Sequence, residues 1–208
     1  MNSQRLTLIS FVVLLVVVGA LALWPRLTGA DKADLNLAVQ PVMGDVGADA
    51  QVVVFFDFLC PHCATFSENF TPLLERDYAR TGKAAVYFVN FPVIDPVGSR
   101  NLARLGECVY QQSNDAFLTV ERAMMRSQGE LRNINRAIQI AKDYGGDHLD
   151  AALLDSCYQN NETLSAVQED VKAGNQLGVR GTPAVFVNGE SVSLDMPAIG
   201  AAIEAAQR

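Results

Sequence analysis

Residues 52–63 read Val-Val-Val-Phe-Phe-Asp-Phe-Leu-Cys-Pro-His-Cys, an apolar run that stops at two cysteines separated by Pro61 and His62. β-branched and aromatic residues in a run of this length predict a buried strand rather than a helix. Pro61 suits the first turn of a helix, where its missing N–H would have had no partner. The expected local structure is strand, tight turn, helix, with Cys60 at the helix N-cap.

That placement has chemical consequences. The first helical N–H groups and the positive end of the helix dipole converge on the Cys60 sulfur and favour thiolate over thiol. His62 can add a cation or a donor to the same sulfur. A Cys-X-X-Cys thiol so placed falls to a pKa of about 3.5–7.5, from a free value of about 8.5. Each unit of lowering stabilises the dithiol by about 1.36 kcal/mol. A stabilised dithiol belongs to a disulfide that is easily given away. Cys63, one turn into the helix, is expected to be less exposed. Cys60 is therefore expected to exchange with substrate and Cys63 to resolve the mixed disulfide.

Other uses of the pair are weaker. A zinc site needs two more ligands in a second close pair, and the other cysteines, Cys108 and Cys157, are far apart in sequence. Haem attachment needs histidine directly after Cys63, where Ala64 stands. A plain structural Cys60–Cys63 bridge in a non-catalytic interaction module is the alternative of another class, and it predicts an unreactive Cys60 of ordinary pKa. Neither a metal nor a cofactor is expected.

The segment Phe56-Asp57-Phe58-Leu59-Cys60-Pro61-His62-Cys63 resembles the active-site segment of DsbA-like thiol:disulfide oxidoreductases, which have a thioredoxin-type fold. The Pro61-His62 pair is of the kind found in strongly oxidising members. A second block, residues 178–189, resembles the cis-proline segment and following hairpin of that family, with Thr182 and Pro183 at its centre. The resemblance covers roughly Asp45 to the C-terminus. It implies an α/β thioredoxin-like fold with an inserted helical subdomain, a cis Thr182–Pro183 bond, and Thr182 backbone beside the Cys60 sulfur. There an incoming peptide can pair like an added strand. It also implies reduced or unfolded exported proteins as clients and a quinone-linked membrane thiol oxidase as reoxidant. Two features depart from the pattern. Some oxidases and thioredoxins bury a carboxylate six residues before the first cysteine, and Val54 occupies that position; Asp57 lies three residues closer. Thr182 is also shared with isomerase and reductase branches. A reductase or isomerase on the same scaffold is thus the nearest rival, although an isomerase usually needs a dimerising extension.

The rest of the chain fits one exported domain. Leu6–Trp24 is nineteen residues without a charge, preceded by Arg5. It is expected to be an N-terminal hydrophobic helix, either a signal-anchor spanning the membrane or a cleaved signal peptide. Residues 1–24 form that segment, 25–49 a linker with an edge strand within 35–42, and 50–208 the redox domain. The domain would lie outside the cytoplasm, tethered or released. Net charge is −7, and the part after residue 24 is one unit more acidic, which argues against nucleic acid as partner. Ala84–Phe91 predicts a second buried, parallel strand, with strand–helix–strand crossing right-handed. Thr71-Pro72 is expected to bend the intervening helix.

Residues 99–178 read as helical stripes and are expected to form the insertion. Cys108 and Cys157 fall on those stripes. An even cysteine count in an exported chain points to a structural disulfide between them. Closing a loop of about 50 residues would contribute on the order of 4 kcal/mol by loss of chain entropy. The alternative is two unbridged, buried thiols. Asn188-Gly189 predicts a tight hairpin turn, and 196–207 a closing helix. His148 is expected on the surface without a role.

Overall fold

A computed structural model of the chain describes residues 35–208. The apolar segment 6–24 and the linker up to residue 34 lie outside the described residues. Among the described residues no helix is long and apolar enough to cross a membrane.

Five strands form one sheet in the order β1-β3-β2-β4-β5. They are β1 (Val42–Met43), β2 (Ala50–Phe56), β3 (Ala84–Asn90), β4 (Ala184–Val187) and β5 (Glu190–Val192). β2 is central. It pairs parallel with β3, Val54 opposite Phe88, and antiparallel with β4, Val54 opposite Val185. Its near-continuous apolar sequence follows from that position, because both faces of the strand are covered. Val52, Val54 and Phe56 enter one core cluster, and Val53 and Phe55 the other. The period-2 alternation of side chains thus divides one strand between two cores.

The edge strand differs from expectation. Asn36 caps a short 3-10 turn at Leu37–Val39, its side chain accepting from the Ala38 N–H. Only Val42–Met43 then pair, antiparallel, with β3. An Asx turn of this kind satisfies the backbone locally and competes with a strand.

Between β2 and β3 the helix is broken rather than bent. α1 spans Pro61–Asn69, α2 spans Thr71–Leu74, and a π turn follows at Glu75–Ala79. Pro72 lacks the N–H that would continue α1. Gly82, at φ +72, reverses the chain into β3.

The insertion between β3 and β4 comprises α3 (Gly98–Tyr110), α4 (Asn114–Arg126), α5 (Ile134–Tyr144), α6 (Ala151–Gln159) and α7 (Leu164–Gln176). Leu102, Leu105, Val109, Phe117, Val120 and Met124 bury the faces that α3 and α4 turn inward. Gly106 allows α3 to approach the Phe58 ring, since a Cβ there would lie 3.0 Å from it. Cys108 of α3 and Cys157 of α6 are joined as a disulfide, with Cα atoms 5.9 Å apart. The chain closes with the β4–β5 hairpin, whose Asn188 and Gly189 have φ +48 and +86, and with α8 (Met196–Ala206). Positive φ at both central residues is what a turn matching strand twist requires.

Two acids are buried where β3 ends. Asn90 Nδ2 donates to Glu107 Oε1 at 2.7 Å and to Asp170 Oδ2 at 3.4 Å, and Gln40 Nε2 donates to Asp170 Oδ1 at 2.7 Å. Burial, then the nearby Asp170 charge, push Glu107 up to about 8. Burial raises Asp170 to about 6. A carboxyl whose folded pKa is raised keeps its proton when the unfolded chain has lost it, so its contribution falls as pH rises. For Glu107 the window runs from the ordinary 4.5 to about 8. Thermal unfolding of the form with Cys60 and Cys63 joined, in which neither thiol titrates, should therefore show a lower Tm at pH 8 than at pH 5, and Glu107→Gln should flatten that slope. An equally steep slope in the variant would contradict this origin.

Candidate active site

The site is built where β2 hands over to α1. Cys60 is the N-cap of α1, with extended backbone at φ −81 and ψ 117, and Pro61 is the first helical residue. The geometry holds because the turn before it is tied down. The Cys60 N–H donates to the Asp57 carbonyl at 3.0 Å. The Asp57 carboxylate accepts from the Leu59 N–H at 2.8 Å, and from the Val93 and Ile94 N–H groups at 2.7 and 2.8 Å. Asp57, though buried, is thus fully engaged in joining the turn to the β3–α3 loop.

Both Cys60 and Cys63 are thiols in this structure, each about 2 % exposed. Cys60 makes no side-chain cap hydrogen bond in this structure, but the Cys63 thiol, the Thr182 hydroxyl and the N–H groups of Cys63 and His62 all favour its thiolate. These donors outweigh the cost of burial and bring Cys60 down to about 5 from 9.0. Cys63 moves the opposite way. Its hydrogen bond to Cys60 and its burial hold it well above the ordinary thiol range. One sulfur is therefore prepared to be anionic and the other to stay protonated.

The second block meets the first across the sheet. The Thr182–Pro183 bond is cis, and the Cys60 thiol donates to the Thr182 carbonyl at 3.1 Å. The Thr182 hydroxyl is buried and without a hydrogen-bond partner among the described residues. Its proximity favours the Cys60 thiolate.

The structure brings Cys60, Pro61, His62, Cys63, Thr182 and Pro183 together and leaves Cys108 and Cys157 in the insertion. The His62 backbone N–H favours the Cys60 thiolate, while its side chain is exposed. It lines a groove of about 170 Å³ with Thr65, Phe66, Phe70, Pro183 and Leu194. The Phe66 and Phe70 rings stack with centroids 5.1 Å apart. The i, i+4 spacing of these rings marks a shared helix face in the sequence, but reads there as core. Val54 is buried in the central strand and supplies no carboxylate. Sequence reasoning also missed Gln128, in the turn after α4, whose side-chain amide donates to the Phe58 and Cys60 carbonyls at 2.9 and 2.8 Å.

Among the described residues no cluster of His, Cys, Asp and Glu is arranged to hold a metal ion. A family model described as thioredoxin matches residues 37–205. The chain belongs to this thioredoxin family. It is 28 % identical to the probable disulfide bond formation protein D of Bacillus anthracis over 97 % of this chain and 94 % of that protein. It is 27 % identical to the thiol:disulfide interchange protein DsbA of Salmonella typhi over 70 % and 69 %. Among solved structures, oxidised BdbD from Bacillus subtilis superposes with a TM-score of 0.74 at 24 % identity, covering 82 % of this chain and 94 % of that one. DsbA from Chlamydia trachomatis follows at 0.72 and 20 %, covering 81 % and 90 %.

The two protonation states set a pH dependence. A thiol lowered on folding stabilises the folded dithiol above its folded pKa, and loses that contribution as pH falls through it. Thermal melts of the dithiol form, compared with the disulfide form, should gain steadily from about pH 5 towards pH 9, the interval between the folded and ordinary values. Thr182→Val should raise the midpoint of Cys60 alkylation above about 5, because the thiolate loses one donor. An unchanged midpoint would show that the hydroxyl does not serve the sulfur.

Proposed function

We propose that this protein is an extracytoplasmic thiol:disulfide oxidoreductase that donates a Cys60–Cys63 disulfide to folding client proteins. The observation that carries the proposal is the opposed pair of sulfurs, with Cys60 stabilised as thiolate at the N-terminus of α1 and Cys63 protonated behind it. The names of the relatives agree with this reading. The uncharged segment 6–24 supports export, as does a joined Cys108–Cys157 pair in the insertion, because such bridges persist in oxidising compartments.

The chemistry proceeds by two displacements. A client thiolate attacks the Cys60 sulfur of the disulfide form, forming a client–Cys60 bond and breaking the Cys60–Cys63 bond. Cys63 leaves with the electron pair and takes a proton. A second client thiolate then attacks the client sulfur of the mixed disulfide, and Cys60 leaves as thiolate. The client has lost two electrons and the protein has gained them. A low pKa makes Cys60 the better leaving group in the second step. During exchange the client strand lies along Thr182, and an apolar side chain enters the groove of Phe66, Phe70 and Leu194. A membrane thiol oxidase linked to quinone restores the disulfide, and the segment 6–24 anchors the domain or is removed after export.

Equilibration with glutathione, followed by alkylation trapping and mass spectrometry of each cysteine, tests the reading. The pair should be more oxidising than about −180 mV, the range of folding catalysts. A value near or below about −270 mV would indicate a reductase instead. Cys60→Ser should abolish exchange with a reduced client; retained activity would remove Cys60 from the mechanism.

A further inference from the structure

Among the described residues, one side chain of the helical insertion hydrogen-bonds to the redox turn. Gln128 follows α4 after the single cap residue Ser127 and opens a 3-10 turn, Gln128–Glu130. Its Nε2 donates to the Phe58 carbonyl at 2.9 Å and to the Cys60 carbonyl at 2.8 Å. Both hydrogens of one amide are thereby spent on the redox turn. Phe58 is buried, and its carbonyl has no other donor among the described residues. The Cys60 carbonyl is also the first acceptor of α1, taking the Cys63 and Ala64 N–H groups at 3.0 and 3.2 Å. Gln128 thus holds the turn on both sides of the Leu59–Cys60 peptide.

The base from which Gln128 reaches is itself fixed. Phe117, Val120 and Met124 anchor α4 in the core, and the Ser127 N–H closes the helix on the Ala123 and Met124 carbonyls. Four residues beyond Gln128, Arg132 stands 3.5 Å from Asp95 in the β3–α3 loop. That loop is the one the Asp57 carboxylate ties to the turn. The chemistry of the side chain suits the task. A carboxamide offers two N–H donors without charge. Lysine or arginine would add a cation beside the thiolate, and glutamate would set lone pairs against two carbonyl oxygens.

We infer that Gln128 is a positioning residue of the redox site, fixing the carbonyls of Phe58 and Cys60 so that the Cys60 sulfur stays aligned with the first N–H groups of α1 and with Thr182. The inference rests on the oxidoreductase reading for its functional meaning. Through this contact the insertion tunes the sulfur as well as covering the sheet. Loosening the turn weakens the donors that stabilise the thiolate, and leaves the dithiol less favoured relative to the disulfide.

The test compares wild type with Gln128→Met, which keeps the length of the side chain and removes both donors without adding charge. Three quantities are measured on the full chain: the pH midpoint of Cys60 alkylation, the equilibrium constant with glutathione, and the Tm of the disulfide form. The midpoint should rise by about one unit. The equilibrium constant should move about tenfold towards the disulfide, since one unit of pKa corresponds to a factor of ten. A midpoint and an equilibrium constant within about twofold of wild type would overturn the inference, whether or not the Tm falls, because a purely structural contact would move only the Tm. If Gln128→Met does not fold, Gln128→Asn, too short to span both carbonyls, is read by the same criteria. The wild-type potential tests the oxidoreductase reading separately, because the Gln128 inference depends only on the difference between wild type and variant.

Discussion

An anionic sulfur held against an apolar core needs hydrogen-bond donors, and Cys60 draws them from two distant parts of the chain. Burying a charge without partners is costly. Here the cost is offset by the Cys63 thiol, the N–H groups of His62 and Cys63, and the Thr182 hydroxyl. The first three come from one helix start. The last comes from a segment 122 residues further on. The sheet exists, from the point of view of the sulfur, to bring these two segments side by side. β2 delivers Cys60 and β4 begins just after Thr182, and the two strands are direct neighbours. The positions of Asp57 and Gln128 make sense in the same frame, because each ties the turn between strand and helix to a different neighbouring loop.

The parts of this arrangement that follow local rules can be read in the sequence. A β-branched and aromatic run ending in Cys-Pro-His-Cys encodes strand, turn and helix by composition and by the restricted φ of Pro61. Asn188-Gly189 encodes its own turn. The stripes of the insertion follow the period of 3.6 and became helices. Contacts made only by tertiary placement are not legible in this way. Asp57 looks like any turn residue until the β3–α3 loop supplies two more N–H groups to its carboxylate. Gln128 sits in a short polar stretch with no periodicity, and nothing nearby in sequence suggests that it reaches residues 58 and 60.

Two differences from expectation come from competition between local and tertiary preferences. Phe66 and Phe70 carry the spacing of a core face, and Phe66 is buried. Phe70, just past the end of α1, packs against the same core as that spacing implies; what differs is the helix itself, which breaks because Pro72 lacks the N–H that would continue it. The edge strand shrinks to two residues, since Asn36 satisfies its own backbone turn. In both places a side chain or a ring restricted the backbone more strongly than hydrophobic pattern did.

The separation between Cys60 and Thr182 also bears on how such a chain is made. Synthesis runs from the N-terminus, so Cys60, Cys63 and Cys108 have all emerged before Cys157, which lies 49 residues after its partner. For that interval the nascent chain presents three thiols and no correct partner for the third. β4, which completes the pairing of the central strand, emerges later still. Sheet pairings across such separations form late, because loop closure must precede them. A chain that belongs among the thiol:disulfide oxidoreductases therefore spends its own biogenesis in need of a correctly placed disulfide.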